Sequence, residues 1–161
     1  MAPKAGDSLP DVTLQEGDPS NNVKLRDLFA GKKGILFGVP GAFTPGCTKT
    51  HLPGYVTDHD KFRAAGAEVI ACVAVNDAFV MDAWGKSANA DGKVRMLADP
   101  FLELTKALDV VLDAEAKLGT KRCKRFSAVI KDNVITHINV EPDGGGLSCS
   151  LASPTLAQLK E

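Results

Sequence analysis

The residues best equipped for chemistry lie in V-P-G-A-F-T-P-G-C-T, Val39 to Thr48, where an apolar run gives way to prolines, glycines and a thiol. Cys47 falls where a loop becomes the start of a predicted helix. A helix N-terminus carries roughly +0.5 charge and several N–H donors without intrahelical partners. Both favour thiolate over thiol, and the thiolate is the nucleophile. The helix end contributes only about 0.3–1 kcal/mol, rising to ~2 where partly buried. A reactive Cys47 therefore needs a further donor or charge. Thr44, one turn earlier, can supply a hydroxyl, and a cation has to come from elsewhere in the fold. The competing reading is a packing thiol, since free cysteine is among the most buried residue types. Local spacing leaves both readings open.

His51, four residues after Cys47, invites a Cys–His dyad of the kind used by cysteine hydrolases. No orienting Asn or Asp can be placed beside it from sequence. His59 and His137 fall in no chemical pattern. The other cysteines, Cys72, Cys123 and Cys149, form no C-x-x-C spacing with Cys47 or with one another. That argues against a zinc site and against a thioredoxin-type redox pair. No metal and no organic cofactor is suggested. Cys72, inside E-V-I-A-C-V-A-V, reads as a packing residue. Cys123 lies among Lys121, Arg122, Lys124 and Arg125, and is expected to be a surface thiol of lowered pKa. By composition, Cys149 in D-G-G-G-L-S-C-S reads as an exposed, mobile thiol without a role.

The elements that have to position these groups follow from the apolar pattern. Gly34 to Val39 is a short buried strand ended by Pro40-Gly41. Pro45 to Ala65 is a helix, expected to kink at Pro53-Gly54. Glu68 to Val75 is almost continuously apolar, as a central parallel strand is. Asn76-Asp77 caps a helix running to about Ala90. Val94 to Ala98 is a strand and Phe101 to Leu108 a short helix. Arg125 to Ile130 and Val134 to Val140 flank the turn Lys131-Asp132-Asn133 as a hairpin. Pro154 to Lys160 is a terminal helix with Ser153 as N-cap and Pro154 at its first position. The order β-α-β-α-β-(α)-β-β-α predicts an α/β, thioredoxin-like fold: a mixed central sheet with helices on both faces and an N-terminal extension. Sites in such sheets lie beyond the carboxyl ends of the strands, which is where Cys47 falls.

The 161 residues are expected to form one domain spanning 1–161. A net charge of −1 offers no basic field for nucleic acid. No apolar run reaches the ~18 residues of a membrane span. The N-terminal M-A-P-K-A-G-D has neither a signal-peptide nor a transit-peptide pattern, and A-Q-L-K-E is no peroxisomal tail. A cytoplasmic protein is expected, with a mitochondrial or peroxisomal location left open should a targeting segment have been removed.

The stretch P-G-A-F-T-P-G-C-T-K-T-H-L-P-G, Pro40 to Gly54, resembles the active-site signature of the peroxiredoxins, and specifically the peroxiredoxin-5 type. K-L-R-D-L-F-A-G-K-K-G, V-N-D-A-F-V-M-D-A-W-G, L-A-D-P, C-K-R-F-S and N-V-E-P-D-G-G-G-L-S-C-S have counterparts there in the same order. The resemblance implies a thiol peroxidase acting on hydrogen peroxide, alkyl hydroperoxides and peroxynitrite. It sets Cys47 at the peroxidatic cysteine, Thr44 at the peroxide-binding hydroxyl, Arg125 at the active-site arginine and Pro40 at the shielding proline. Gly46 offers a backbone N–H beside that of Cys47, and Phe43 and Leu118 are candidate apolar lining. The resemblance also makes Cys149 a resolving cysteine, which forms an intramolecular disulfide with Cys47 that thioredoxin reduces. It implies a monomer or a weak homodimer. The alternatives are a non-enzymatic redox sensor and a one-cysteine peroxidase in which Cys149 does not resolve.

The chain departs from the family pattern at D-P-F-L-E-L-T-K, where Leu102 and Leu104 replace a frequent glycine and phenylalanine. It also departs in Asp113 to Lys121, which is about two residues short. Substrate preference and dimer strength are the properties those stretches touch.

Overall fold

A computed structural model describes residues 3–161. The strands are β1 (Thr13–Glu16), β2 (Asp18–Lys24), β3 (Lys33–Val39), β4 (Val69–Ala74), β5 (Arg95–Ala98), β6 (Val111–Asp113), β7 (Lys121–Cys123), β8 (Phe126–Lys131) and β9 (Val134–Val140). The α-helices are α1 (Leu25–Phe29), α2 (Leu52–Thr57), α3 (His59–Ala64), α4 (Ala78–Ser87), α5 (Glu103–Ala107), α6 (Glu115–Leu118) and α7 (Ala152–Leu159). Seven strands make one sheet in the order β2-β1-β5-β4-β3-β8-β9, and β6 and β7 pair separately. β3 and β4 run parallel, as do β4 and β5, while β8 lies antiparallel to β3. This is the mixed, thioredoxin-like sheet that the sequence predicts.

Alternation along the central strands divides the core between the two faces. Ile35, Phe37 and Val39 of β3 join Ile70, Cys72 and Ala74 of β4 on one side. Leu36 joins Val69, Ala71 and Val73 on the other. Burial on both faces is what makes these strands continuously apolar. Gly38 is required by a close approach: a Cβ there would run into the ring of Phe126 on the neighbouring strand. The hairpin between β8 and β9 closes through Asp132 and Asn133, both with positive φ, and Lys131 belongs to the strand, paired with Val134. Two consecutive left-handed residues suit a tight hairpin turn, and Asp and Asn accept that conformation better than most residues.

Three local expectations are corrected. The long helix expected from Pro45 is not continuous, and its interruptions fall on either side of Pro53-Gly54, which lie within α2. Cys47–His51 winds instead as a single π-turn, in which the Leu52 N–H reaches back to the Cys47 carbonyl. Pro53, near the start of α2, has no N–H to donate, which favours irregular winding just before it. The chain then breaks at Asp58 (φ −92°, ψ 11°) between α2 and α3. The terminal helix begins at Ala152 with Leu151 as its N-cap, so Ser153 and Pro154 lie inside its first turn. Asp77, by contrast, caps α4 as expected, its carboxylate accepting from the Val80 N–H at 2.8 Å. That helix ends at Ser87, a little before Ala90.

Candidate active site

Cys47 opens the π-turn at the carboxyl end of β3 and is fully buried. Two side chains donate to its sulfur. The Thr44 hydroxyl lies 2.9 Å from Sγ, and Nη1 of Arg125 lies 3.3 Å from it. The cation that local reasoning lacked thus arrives from residue 125, at the entry to β8. The Thr44 hydroxyl also lies 2.7 Å from the Gly41 carbonyl. It has one proton, so it donates to Gly41 when Cys47 is a thiol that itself donates, and turns to the sulfur when Cys47 is a thiolate. This donor set suits a negatively charged sulfur, or the oxygen of a bond being cleaved beside it.

Several contacts fix that geometry. Arg125 is 4 % exposed and donates from Nε to the Gly145 carbonyl at 3.4 Å. Its Nη1 also meets His51 Nδ1 at 3.2 Å. A guanidinium only donates, so Nδ1 accepts and the His51 proton sits on Nε2, which donates to the Ser150 carbonyl at 2.9 Å. Burial lowers the His51 pKa to about 4, which keeps the ring neutral. Phe37 and Tyr55 pack against the imidazole, with ring centroids 5.0 and 5.6 Å away. With both nitrogens engaged, His51 has no acceptor to spare for a Cys47 proton. A hydrolase-type dyad is therefore not formed.

The loop before Cys47 is held from the side. Asn76 Oδ1 accepts from the Ala42 N–H at 2.9 Å, and the Trp84 indole donates to Thr48 at 3.1 Å. Gly46 is needed for space, since a Cβ there would stand 3.1 Å from Arg125 Nη2 and 3.4 Å from the Leu147 side chain. A groove of about 440 Å³ reaches Thr44 and is lined by Pro40, Leu112, Ala116 and Leu118 among others. Phe43 is not part of that lining: it has positive φ and is 53 % exposed.

The redoxin family matches residues 4–154. A rice (Oryza sativa subsp. japonica) protein, chloroplastic peroxiredoxin-2E-2, is 44 % identical over 96 % of this chain and 71 % of its own length. The crystal structure of peroxiredoxin 5 from Alvinella pompejana superposes with a TM-score of 0.89, at 43 % identity and 98 % coverage of both chains. The chain belongs to the peroxiredoxins. Reduced Prx3 from Vibrio vulnificus, solved in complex with hydrogen peroxide, superposes with a TM-score of 0.90 at 43 % identity over 99 % of each chain. The peroxiredoxin is accordingly a thiol-dependent peroxidase, an oxidoreductase of thioredoxin-like fold.

Within this peroxiredoxin the remaining cysteines separate clearly. All four are free thiols. Cys72 is buried in mid-strand, and burial pushes its pKa well up. Cys123 is not the surface thiol expected from its charged neighbours. It is 1 % exposed, burial pushes its pKa up, and its Sγ donates to the Lys124 carbonyl at 3.1 Å. Burial rises along β7 from exposed Lys121 to Cys123, which joins the core cluster that holds Val110 and Phe126, and this overrides the flanking charge. Cys149 is half-buried, on the segment before α7. Sequence reasoning passed over Glu141, Tyr55 and Ser150, which join that segment to the site. The signal available was a carboxylate seven and nine residues ahead of two serines in N-V-E-P-D-G-G-G-L-S-C-S.

Proposed function

We propose that Cys47 is the peroxidatic residue and that Thr44 and Arg125 hold the peroxide during its attack. The observation that carries this reading is the convergence of the Thr44 hydroxyl and the Arg125 guanidinium on one sulfur. The thiolate attacks one peroxide oxygen in line with the O–O bond. An S–O bond forms, the O–O bond breaks, and the departing hydroxide or alkoxide takes a proton from water. Developing negative charge on the leaving oxygen is met by donors already in place, which is electrostatic preorganisation. The N–H groups of Gly46 and Cys47, at the first turn, add to that set. Pro40 presents no donor and keeps competing water from the sulfur. The groove beside Thr44 has apolar walls that suit the organic tail of an alkyl hydroperoxide, with Leu118 in its lining.

The product is a sulfenic acid on Cys47. Cys149 then resolves it as an intramolecular disulfide, and a thioredoxin-type dithiol reduces the disulfide by exchange. Peroxynitrite fits the same donor set. The chain acts as a monomer or weak homodimer, in the cytoplasm, where fractionation of the native protein would locate it. Peroxide turnover with thioredoxin, compared for wild type, Cys47→Ser and Cys149→Ser, tests the cycle. Cys47→Ser should lose all activity. Cys149→Ser should keep the first oxidation and lose recycling. Stoichiometric oxidation of the wild type without cycling would instead favour a redox sensor, and undiminished cycling in Cys149→Ser a one-cysteine peroxidase.

A further inference from the structure

The segment carrying Cys149 is fastened to a single carboxylate. Glu141, just after β9, is 1 % exposed. Its Oε2 accepts from the Ser148 N–H at 3.0 Å, the Ser150 N–H at 2.8 Å and the Ser150 hydroxyl at 2.6 Å, and its Oε1 accepts from the Ser148 hydroxyl at 2.6 Å. Both neighbours of Cys149 are thereby pinned. Hydrogen bonds to an ionised carboxylate are roughly twice as strong as neutral ones. The same segment is tied to the peroxide site, because the Ser150 carbonyl accepts from His51 Nε2 at 2.9 Å and from the Tyr55 hydroxyl at 2.7 Å. His51 in turn meets Arg125, and Arg125 meets Cys47.

Cys47 is closed off from solvent in this arrangement, and Cys149 is a free thiol. A disulfide requires the two Cα atoms within about 7 Å and opposed Sγ atoms. The two sulfurs are unbonded while the segment is docked, and a shift of that segment or an opening of the Cys47 turn is the motion that would join them. We propose that Glu141 is a positioning residue for the second half-reaction: it holds the Cys149 segment docked while peroxide reacts at Cys47, and its release sets the rate at which Cys149 attacks. This rests on Cys149 being the resolving thiol. In that step the Cys149 sulfur bonds to the Cys47 sulfur, the S–O bond of the sulfenic acid breaks, and the departing hydroxide leaves as water with the Cys149 proton. Burial, and after it the Glu141 charge, raises the Cys149 pKa while the segment is docked. Undocking thus frees the chain and makes the thiol more acidic together.

The test is a single turnover of the full chain with one equivalent of hydrogen peroxide, quenched at intervals and read by intact mass. Sulfenate appears as a gain of one oxygen and disulfide as a loss of two hydrogens. Glu141→Gln turns an amide NH2 toward donors and should speed sulfenate-to-disulfide conversion roughly tenfold, about the loss of one charge-assisted bond. Ser148→Ala, at an exposed position that should leave the fold intact, should speed it roughly threefold by removing one donor. Excess peroxide should then yield less sulfinic acid in both variants, since that product forms only while sulfenate survives. In a Cys47→Ser background, Glu141→Gln should also make Cys149 react faster with iodoacetamide. Conversion that is unchanged or slower in both variants, with Cys149 alkylation unchanged, overturns the latch and leaves the resolving role standing. A wild-type sulfenate as persistent as that of Cys149→Ser overturns the resolving role and the latch with it. A merely structural role for Glu141 would lower thermal stability and leave the conversion rate unchanged.

Discussion

At the scale of single residues, the site depends on one donor close to Cys47 in sequence, Thr44, and one far from it, Arg125. Arg125 is buried and carries its charge to a sulfur 78 positions away in the chain. Its replacement by Ala should slow the first oxidation by about 10²–10³, the range for losing one preorganised donor, as stopped-flow mixing with peroxide would measure. Thr44→Val should slow it by a similar factor. His51 makes a different contribution. Its ring stays neutral down to about pH 4 in the folded chain, whereas an unfolded imidazole takes a proton near pH 6.5. Between those values the unfolded state binds more protons, so stability falls as the pH drops through this window. The full effect is of order 3 kcal/mol. Urea unfolding at pH 7 and pH 4.5 should show that loss in wild type and a much smaller one in His51→Gln. Glu141, held down to about 2 by the Ser148 and Ser150 donors against the opposing effect of its burial, adds a second loss at lower pH, from about 4.5 downward.

At the scale of elements, the π-turn and its flanking strand do the positioning. Gly46 leaves room for the guanidinium, so Gly46→Ala should displace Arg125 by a few tenths of an ångström. Peroxide reactivity should then fall roughly tenfold, with a small change in thermal stability. Gly38→Ala is the reverse case. Its Cβ would enter the Phe126 ring, so it should cost about 1–3 kcal/mol of stability by overpacking, read by denaturant titration. Leu102, the N-cap of α5, has φ 58°. A branched side chain in that region is strained, yet Leu102 packs partly against the second core cluster, which offsets the strain. The pattern-based helix from Phe101 therefore starts later, at Glu103, because the residue before it is left-handed.

For the whole molecule, the sheet brings Cys47, Arg125 and the Cys149 segment to one end of the fold while it buries the other two thiols. A thiol-specific chromogen should leave Cys72 and Cys123 unreactive in the native protein and titrate all four cysteines after unfolding. Rapid labelling of Cys123 in the native state would contradict its position in β7. The hydrogen bonds from Glu141 through Ser150, His51 and Arg125 also tie the Cys149 segment to Cys47. Changes at that segment should therefore be felt at the Cys47 sulfur.

The strands, the capping Asp77 and the Cys47 loop were legible because their signals are local: alternation, apolar runs, and a side chain bonding three residues on. The fold class follows from such signals together with a long motif, and the same motif marks Cys47 as the candidate nucleophile. Cys123 is misjudged from its neighbours because burial at the end of β7 is set by what packs over it, which flanking charge does not report. The roles of Glu141 and His51 were invisible for a related reason. Each acts through partners that only the packing of β9, the π-turn and the loop before α7 brings within hydrogen-bond distance. Sequence by itself determined the scaffold and marked Cys47 as the candidate thiol; the tertiary structure decided which groups surround it, because a hydrogen bond needs a placed partner and placement is a property of the folded chain.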